Sequence, residues 1–145
     1  MIARRLTHPR LIVASFVAVL ALALVLVAGH ARAQDEPTVA IADAGNLGMI
    51  LTNSAGMTLY TFDRDTPGVS NCTGGCTMTW PPLLLPAGDP VAPPDLSGAL
   101  GVITRADDGR QVTYNDQPLY LYVRDQKPGD TTGEGVGGVW HVAKP

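Results

Sequence analysis

Leu59-Tyr60-Thr61-Phe62-Asp63-Arg64-Asp65 recurs as Leu119-Tyr120-Leu121-Tyr122-Val123-Arg124-Asp125, and both stretches read L-Y-x-[FY]-x-R-D. The offset is 60 positions, and the two tryptophans of the chain, Trp80 and Trp140, keep it. A motif and a downstream Trp repeating in one register point to two copies of one structural unit. In an extended strand, alternate residues face opposite sides. Leu59, Leu119, Leu121 and Val123 then form an aliphatic side, and Tyr60, Phe62, Tyr120 and Tyr122 an aromatic one. A strand apolar on both faces is usually covered on both. The expectation is that the aliphatic sides meet in a shared core, while each copy's own loop and Trp cover its aromatic side.

Upstream of the first motif, Leu47-Gly48-Met49-Ile50-Leu51-Thr52 reads as a strand and Asn53-Ser54-Ala55-Gly56 as turn chemistry. Residues 34–46 are small and polar and read as a flexible lead-in. Downstream, 63–79 has no apolar period and forms a loop, with a helical turn after Cys76. Pro81 and Pro82 argue against a central strand after Trp80. Residues 85–96, with Pro86, Pro90, Pro93 and Pro94, read as an extended linker. Leu100-Gly101-Val102-Ile103 echoes Leu47-Gly48-Met49-Ile50, so Gln111–Tyr114 looks like an extra strand inserted in the second copy. Asn115-Asp116 then forms a tip, 125–138 a glycine-rich loop, and Val139–Ala143 a closing strand. The pattern predicts an all-β fold: two tandem β-rich repeats (47–84 and 97–145) packed as one small domain with a pseudo-two-fold.

The N-terminus reads as a signal helix over residues 1–33. Arg4, Arg5 and Arg10 precede an apolar run from Leu11 to Ala28, and Ala31-Arg32-Ala33 offers a cleavage site. As a helix the run would be roughly 27 Å long, close to a bilayer core, so an uncleaved anchor is the competing reading. Cleavage removes four of the ten basic residues and none of the thirteen acidic ones, leaving a net charge of −7. That balance argues against nucleic acid and anionic membrane surfaces as partners. Membrane contact is expected only through the N-terminal segment, if it stays attached.

Tyr60-x-Phe62-x-x-Asp65, Tyr120-x-Tyr122-x-x-Asp125, the Cys72-x-x-x-Cys76-x-x-x-Trp80-Pro81-Pro82 segment and the Pro128–His141 end together resemble a family of secreted repeat proteins of unknown function. These are often described as lipoproteins with a Y-x-[FWY]-x-x-D motif. The resemblance spans roughly residues 47 to 145. It implies a periplasmic or extracellular place in a bacterial envelope and no established activity. The chain departs from it in having no lipobox cysteine near the cleavage site, and in carrying Asn115-Asp116 where Asn-Gly would be expected.

The residues that could carry chemistry are few. Cys72 and Cys76 are an even pair in an exported protein, the setting in which disulfides persist. A staple that positions Trp80 is the favoured reading. The alternative is a redox or copper accessory role, with Met78 and His141 completing a soft-metal set. Asp65 and Asp125, at equivalent places in both copies, read as acceptors for backbone N–H groups that shape the loop after each strand. Asp63-x-Asp65-x-x-Gly68 lacks the later ligands of a calcium loop. No nucleophile, base or phosphate cradle stands out, so the expectation is a protein that is not an enzyme and needs no cofactor. The function read from the sequence is a non-catalytic binding or scaffolding module serving an envelope or extracellular partner.

Overall fold

The computed structural model describes residues 36–145. The signal helix expected over residues 1–33, and the anchor that is its alternative, fall outside these residues. Among the described residues seven strands form: β1 (Val39–Asp43), β2 (Met49–Asn53), β3 (Tyr60–Phe62), β4 (Leu100–Thr104), β5 (Arg110–Tyr114), β6 (Gln117–Pro118) and β7 (Trp140–Val142). One short helix, α1 (Gly75–Thr79), and two 3₁₀ turns at Gly45–Leu47 and Val136–Gly138 complete the elements. All ladders are antiparallel: β1 with β2, β3 with β7, and β4 with β5 and β6.

The two copies meet at their tyrosines. Tyr60 N–H donates to Tyr120 C=O at 2.8 Å, and Tyr120 N–H returns the bond to Tyr60 C=O at 2.9 Å. A reciprocal pair of this kind lies on an approximate two-fold axis. Around it, each copy's Trp segment pairs with the other copy's Tyr strand. β7 lies beside β3, with Trp140 opposite Phe62. In the mirror arrangement Leu121 N–H donates to Pro81 C=O and Leu83 N–H to Leu119 C=O. The sheet then continues outward on both sides. Leu51 N–H bonds Ala143 C=O, and Val112 N–H bonds Leu83 C=O.

These bonds correct the alignment of the copies. β5 stands where β2 stands, and β4 where β1 stands, so the second copy has no inserted strand. Leu59 N–H bonds Leu51 C=O just as Leu119 N–H bonds Val112 C=O. The flexible lead-in expected over 34–46 is also corrected, because Val39–Asp43 is a strand and Val39 is fully buried. Its alternating alanines hid the pattern: Val39 and Ile41 pack into an aliphatic cluster that the other side of a hairpin completes. The prolines after Trp80 do not keep that segment out of the sheet. Pro81 only accepts there, while Leu83 donates to one neighbour and accepts from the other, so no ladder bond needs a proline N–H.

Two clusters make the core. The aliphatic one holds Val39, Leu51, Leu59, Val112 and Leu119. The aromatic one holds Tyr60, Phe62, Trp80, Tyr120, Tyr122 and Trp140, with Ile50, Cys72 and Val142. Leu59 and Leu119 do meet in a shared core. Leu121 is only half-buried and Val123 is exposed, although both keep backbone bonds to the Trp80 segment, Leu121 N–H to Pro81 C=O and Val123 N–H to Thr79 C=O.

Candidate functional site

The two-fold axis passes through a column of stacked rings. Trp80 and Trp140 lie face to face, with centroids 3.8 Å apart and planes 3° from parallel. Tyr122 caps Trp80 at 4.1 Å, and Phe62 caps Trp140 at 4.2 Å. Tyr60 and Tyr120 meet the indoles edge-on, at 5.4 and 5.2 Å. The expectation that each Trp covers its own copy holds for the tyrosines, whose rings meet their own copy's indole edge-on, and is corrected for the stacked faces. Each indole stacks flat on the other copy's motif ring and on the other indole, because the Trp segments are exchanged between the strands.

The aspartates are exchanged as well. Tyr60 Oη donates to Asp125 Oδ2 and Tyr120 Oη donates to Asp65 Oδ2, both at 2.6 Å. The other carboxylate oxygens accept backbone N–H groups, Asp65 Oδ1 from Asn71 and Asp125 Oδ1 from Thr132. Each motif Asp therefore shapes the loop after its own strand and anchors the other copy's tyrosine. Gly133 closes the Tyr60 end. A Cβ there would come within 2.8 Å of the Tyr60 ring and 2.9 Å of Trp80, so only glycine lets its N–H reach Tyr60 Oη at 3.2 Å.

The Tyr120 end holds a residue the sequence did not signal. Arg105 is buried, and its guanidinium donates to Ser70 Oγ at 2.6 Å, Gln111 Oε1 at 2.7 Å and Cys72 C=O at 2.9 Å. Tyr120 has one hydroxyl proton and gives it to Asp65, so Ser70 Oγ, 2.7 Å away, donates to the tyrosine oxygen. A directed chain runs Arg105 to Ser70 to Tyr120 to Asp65. Nothing in its sequence position, just before the Asp107-Asp108-Gly109 turn, singles Arg105 out. Among the described residues no buried side-chain nitrogen or oxygen lacks a partner.

Burial, reinforced by the bonds to Asp125 and Asp65, pushes the Tyr60 and Tyr120 hydroxyls far above the ordinary phenol range. Burial also raises Asp65, against the opposing pull of Tyr120 and Asn71. Tyrosines held in this state do not release a proton near neutrality. They suit packing better than acid–base chemistry.

Cys72 and Cys76 are joined by a disulfide. Cys72 is buried against the aromatic cluster, and Trp80 N–H caps α1 by bonding Cys76 C=O at 2.9 Å. Met78 projects from α1 into solvent, 78% exposed. His141 sits on β7, its Nδ1 3.1 Å from Glu134 Oε1 and its Nε2 3.2 Å from Asp63 Oδ2. The two cysteine sulfurs of that soft-metal set thus bond each other, its methionine is exposed, and its histidine is held between two carboxylates. Among the described residues no group of three or more His, Cys, Asp and Glu side chains has metal-binding spacing.

Two clefts flank the tyrosine pair. One, of about 220 Å³, opens where the two strands splay apart, lined by Met57, Thr58, Pro81, Leu121, Tyr122 and Val123, with Asp125 at its edge. The other, of about 270 Å³, is lined by Thr61, Tyr114, Asn115, Gln117, Val142 and Lys144. Equivalent positions differ in character: Met57 and Leu121 in the first correspond to Gln117 and Thr61 in the second. The copies share an interior and differ at the surface.

A family model described as a secreted repeat of unknown function matches residues 42–84 and again 101–144. The chain belongs to this family of secreted repeats. The two matched segments each contain one Tyr motif and one Trp, so the secreted repeat is the unit that the exchanged strands relate. No curated protein matches the chain, and no solved structure does.

Proposed function

We propose that this secreted repeat protein is a non-catalytic binding or scaffolding module of a bacterial cell envelope, exported by the N-terminal segment and free of any cofactor. One observation carries the reading. The motif residues Tyr60, Phe62, Trp80, Asp65 and their counterparts Tyr120, Tyr122, Trp140, Asp125 are turned inward on one another. They build a rigid frame, and the surfaces that differ between the copies are left to meet a partner. The apolar cleft at Met57, Pro81, Leu121 and Val123 offers one such surface. Its walls suit an apolar group of an envelope or extracellular partner. The acidic surface disfavours nucleic acid.

The redox or copper reading would need the Cys72–Cys76 bond reduced before either sulfur could act. A photocrosslinking residue placed at Leu121 in the exported protein tests the proposal. Discrete adducts in the envelope fraction are expected, and they should persist when Cys72 and Cys76 are both changed to Ala. No adduct at Leu121, or adducts lost with the cysteines while the protein remains folded, would overturn it.

A further inference from the structure

We infer that the chain pairs with a second copy of itself through the open edge of β4. The hydrogen-bond parity sets which groups face outward. Asn115 N–H bonds Ala99 C=O and Arg105 N–H bonds Gly109 C=O, so the odd positions 99 and 105 face β5. Gly101 and Ile103 follow them, and Leu100, Val102 and Thr104 turn their N–H and C=O away. Among the described residues none of these outward groups has a hydrogen-bond partner.

Monomeric proteins blunt such an edge with charge, proline, a bulge or a covering segment. β4 reads Leu-Gly-Val-Ile-Thr and carries none of these within its length. β1, at the equivalent edge of the other copy, is managed in two ways. Val39 is fully buried, next to a strap in which Thr38 N–H bonds Val91 C=O and Val91 N–H bonds Thr38 Oγ1. The strand also ends on the charged Asp43.

A second copy fits the β4 edge by its own symmetry. Antiparallel pairing about Val102 sets Leu100 opposite Thr104 of the other copy, and every outward N–H and C=O then finds its complement. The same register places Ser97 opposite Asp107, so no like charges face each other. A two-fold pairing closes on itself and stops at a dimer. A β1-to-β4 pairing would be head-to-tail and would propagate.

Sedimentation of the exported protein over a concentration series tests this. The expected result is a monomer–dimer equilibrium with no larger species. Val102→Pro removes an N–H that β5 does not use, and should weaken the dimer about tenfold or more while leaving the melting temperature of the monomer nearly unchanged. Should that variant misfold by circular dichroism, Val102→Lys supplies the reading, because it sets two ammonium groups face to face and should weaken the dimer likewise. Val102→Cys should cross-link to itself, since residues in a hydrogen-bonded antiparallel pair lie roughly 5.5 Å apart at Cα, within disulfide reach. A protein that stays monomeric throughout, one that forms open-ended polymers, or a dimer untouched by both folded variants would overturn the inference.

Discussion

At the scale of single residues, the crossed tyrosine–aspartate bonds are the parts most sensitive to change. Tyr60→Phe keeps the ring and removes the hydroxyl. It leaves the Asp125 carboxylate without that donor and the Gly133 N–H without its acceptor. A buried group left unpaired costs about 1–3 kcal/mol, so Tyr60→Phe should lose that much in urea denaturation. Tyr120→Phe should lose less. Both aspartates keep their loop donors, but the hydroxyl of half-buried Ser70 can turn to another acceptor while keeping its bond from Arg105, whereas the buried Gly133 N–H is fixed. Equal losses would mean that the Gly133 bond contributes nothing. His141 supplies a pH dependence. The bond to Glu134, helped by the nearby Asp63 charge, raises its affinity for a proton in the folded state. That stabilisation is fully present below the unfolded value of about 6.5 and is lost as pH rises through the higher folded one. The melting temperature should fall as the pH rises from about 6.5 upward, and His141→Gln should flatten that part of the profile.

At the scale of elements, the disulfide belongs to one loop and not to the frame. The ring it closes, Cys72 to Cys76, is small, and the chain-entropy account gives about 2 kcal/mol for it. Cys72→Ala with Cys76→Ala should reduce stability by that order in chemical denaturation, and the aromatic near-ultraviolet circular dichroism of the folded protein should survive. Loss of the aromatic signal would make the staple part of the core. Some elements were readable from residues alone. β3, β5 and β7 carry alternation and turn chemistry strong enough to declare themselves. β1 did not, since Ala40 and Ala42 give a strand no visible apolar face until β2 lies beside it. The Pro81–Leu85 segment misled for a different reason. Proline forbids a donor at its own position, and which positions of a strand need a donor is settled only by its neighbours.

At the scale of the whole molecule, the repeat announced itself through the 60-residue offset of the motif and the tryptophans. The exchange between the copies did not. Spacing along the chain shows that two units exist, and it is silent on which unit's Trp segment enters which sheet. The same silence covered Arg105, whose partners Ser70, Cys72 and Gln111 come from both copies. The exchange predicts how the protein comes apart. Residues 36–97 and 98–145 made separately should each be unfolded by circular dichroism, because each would lack the strand that covers its tyrosines. Mixed or co-expressed, they should regain the native spectrum. A half that folds alone would show that the exchanged strands are dispensable.

The crossed arrangement has a consequence for descent. A single unit of this kind could complete its interior only by meeting a twin, as a symmetric pair of separate chains. Joining two genes end to end turns that meeting into an event within one molecule, no longer dependent on abundance. From then on the inside is held in common, so a change to one tyrosine is felt by an aspartate in the sister half. The outer walls carry no such bond, and Met57 has been free to part company with Gln117.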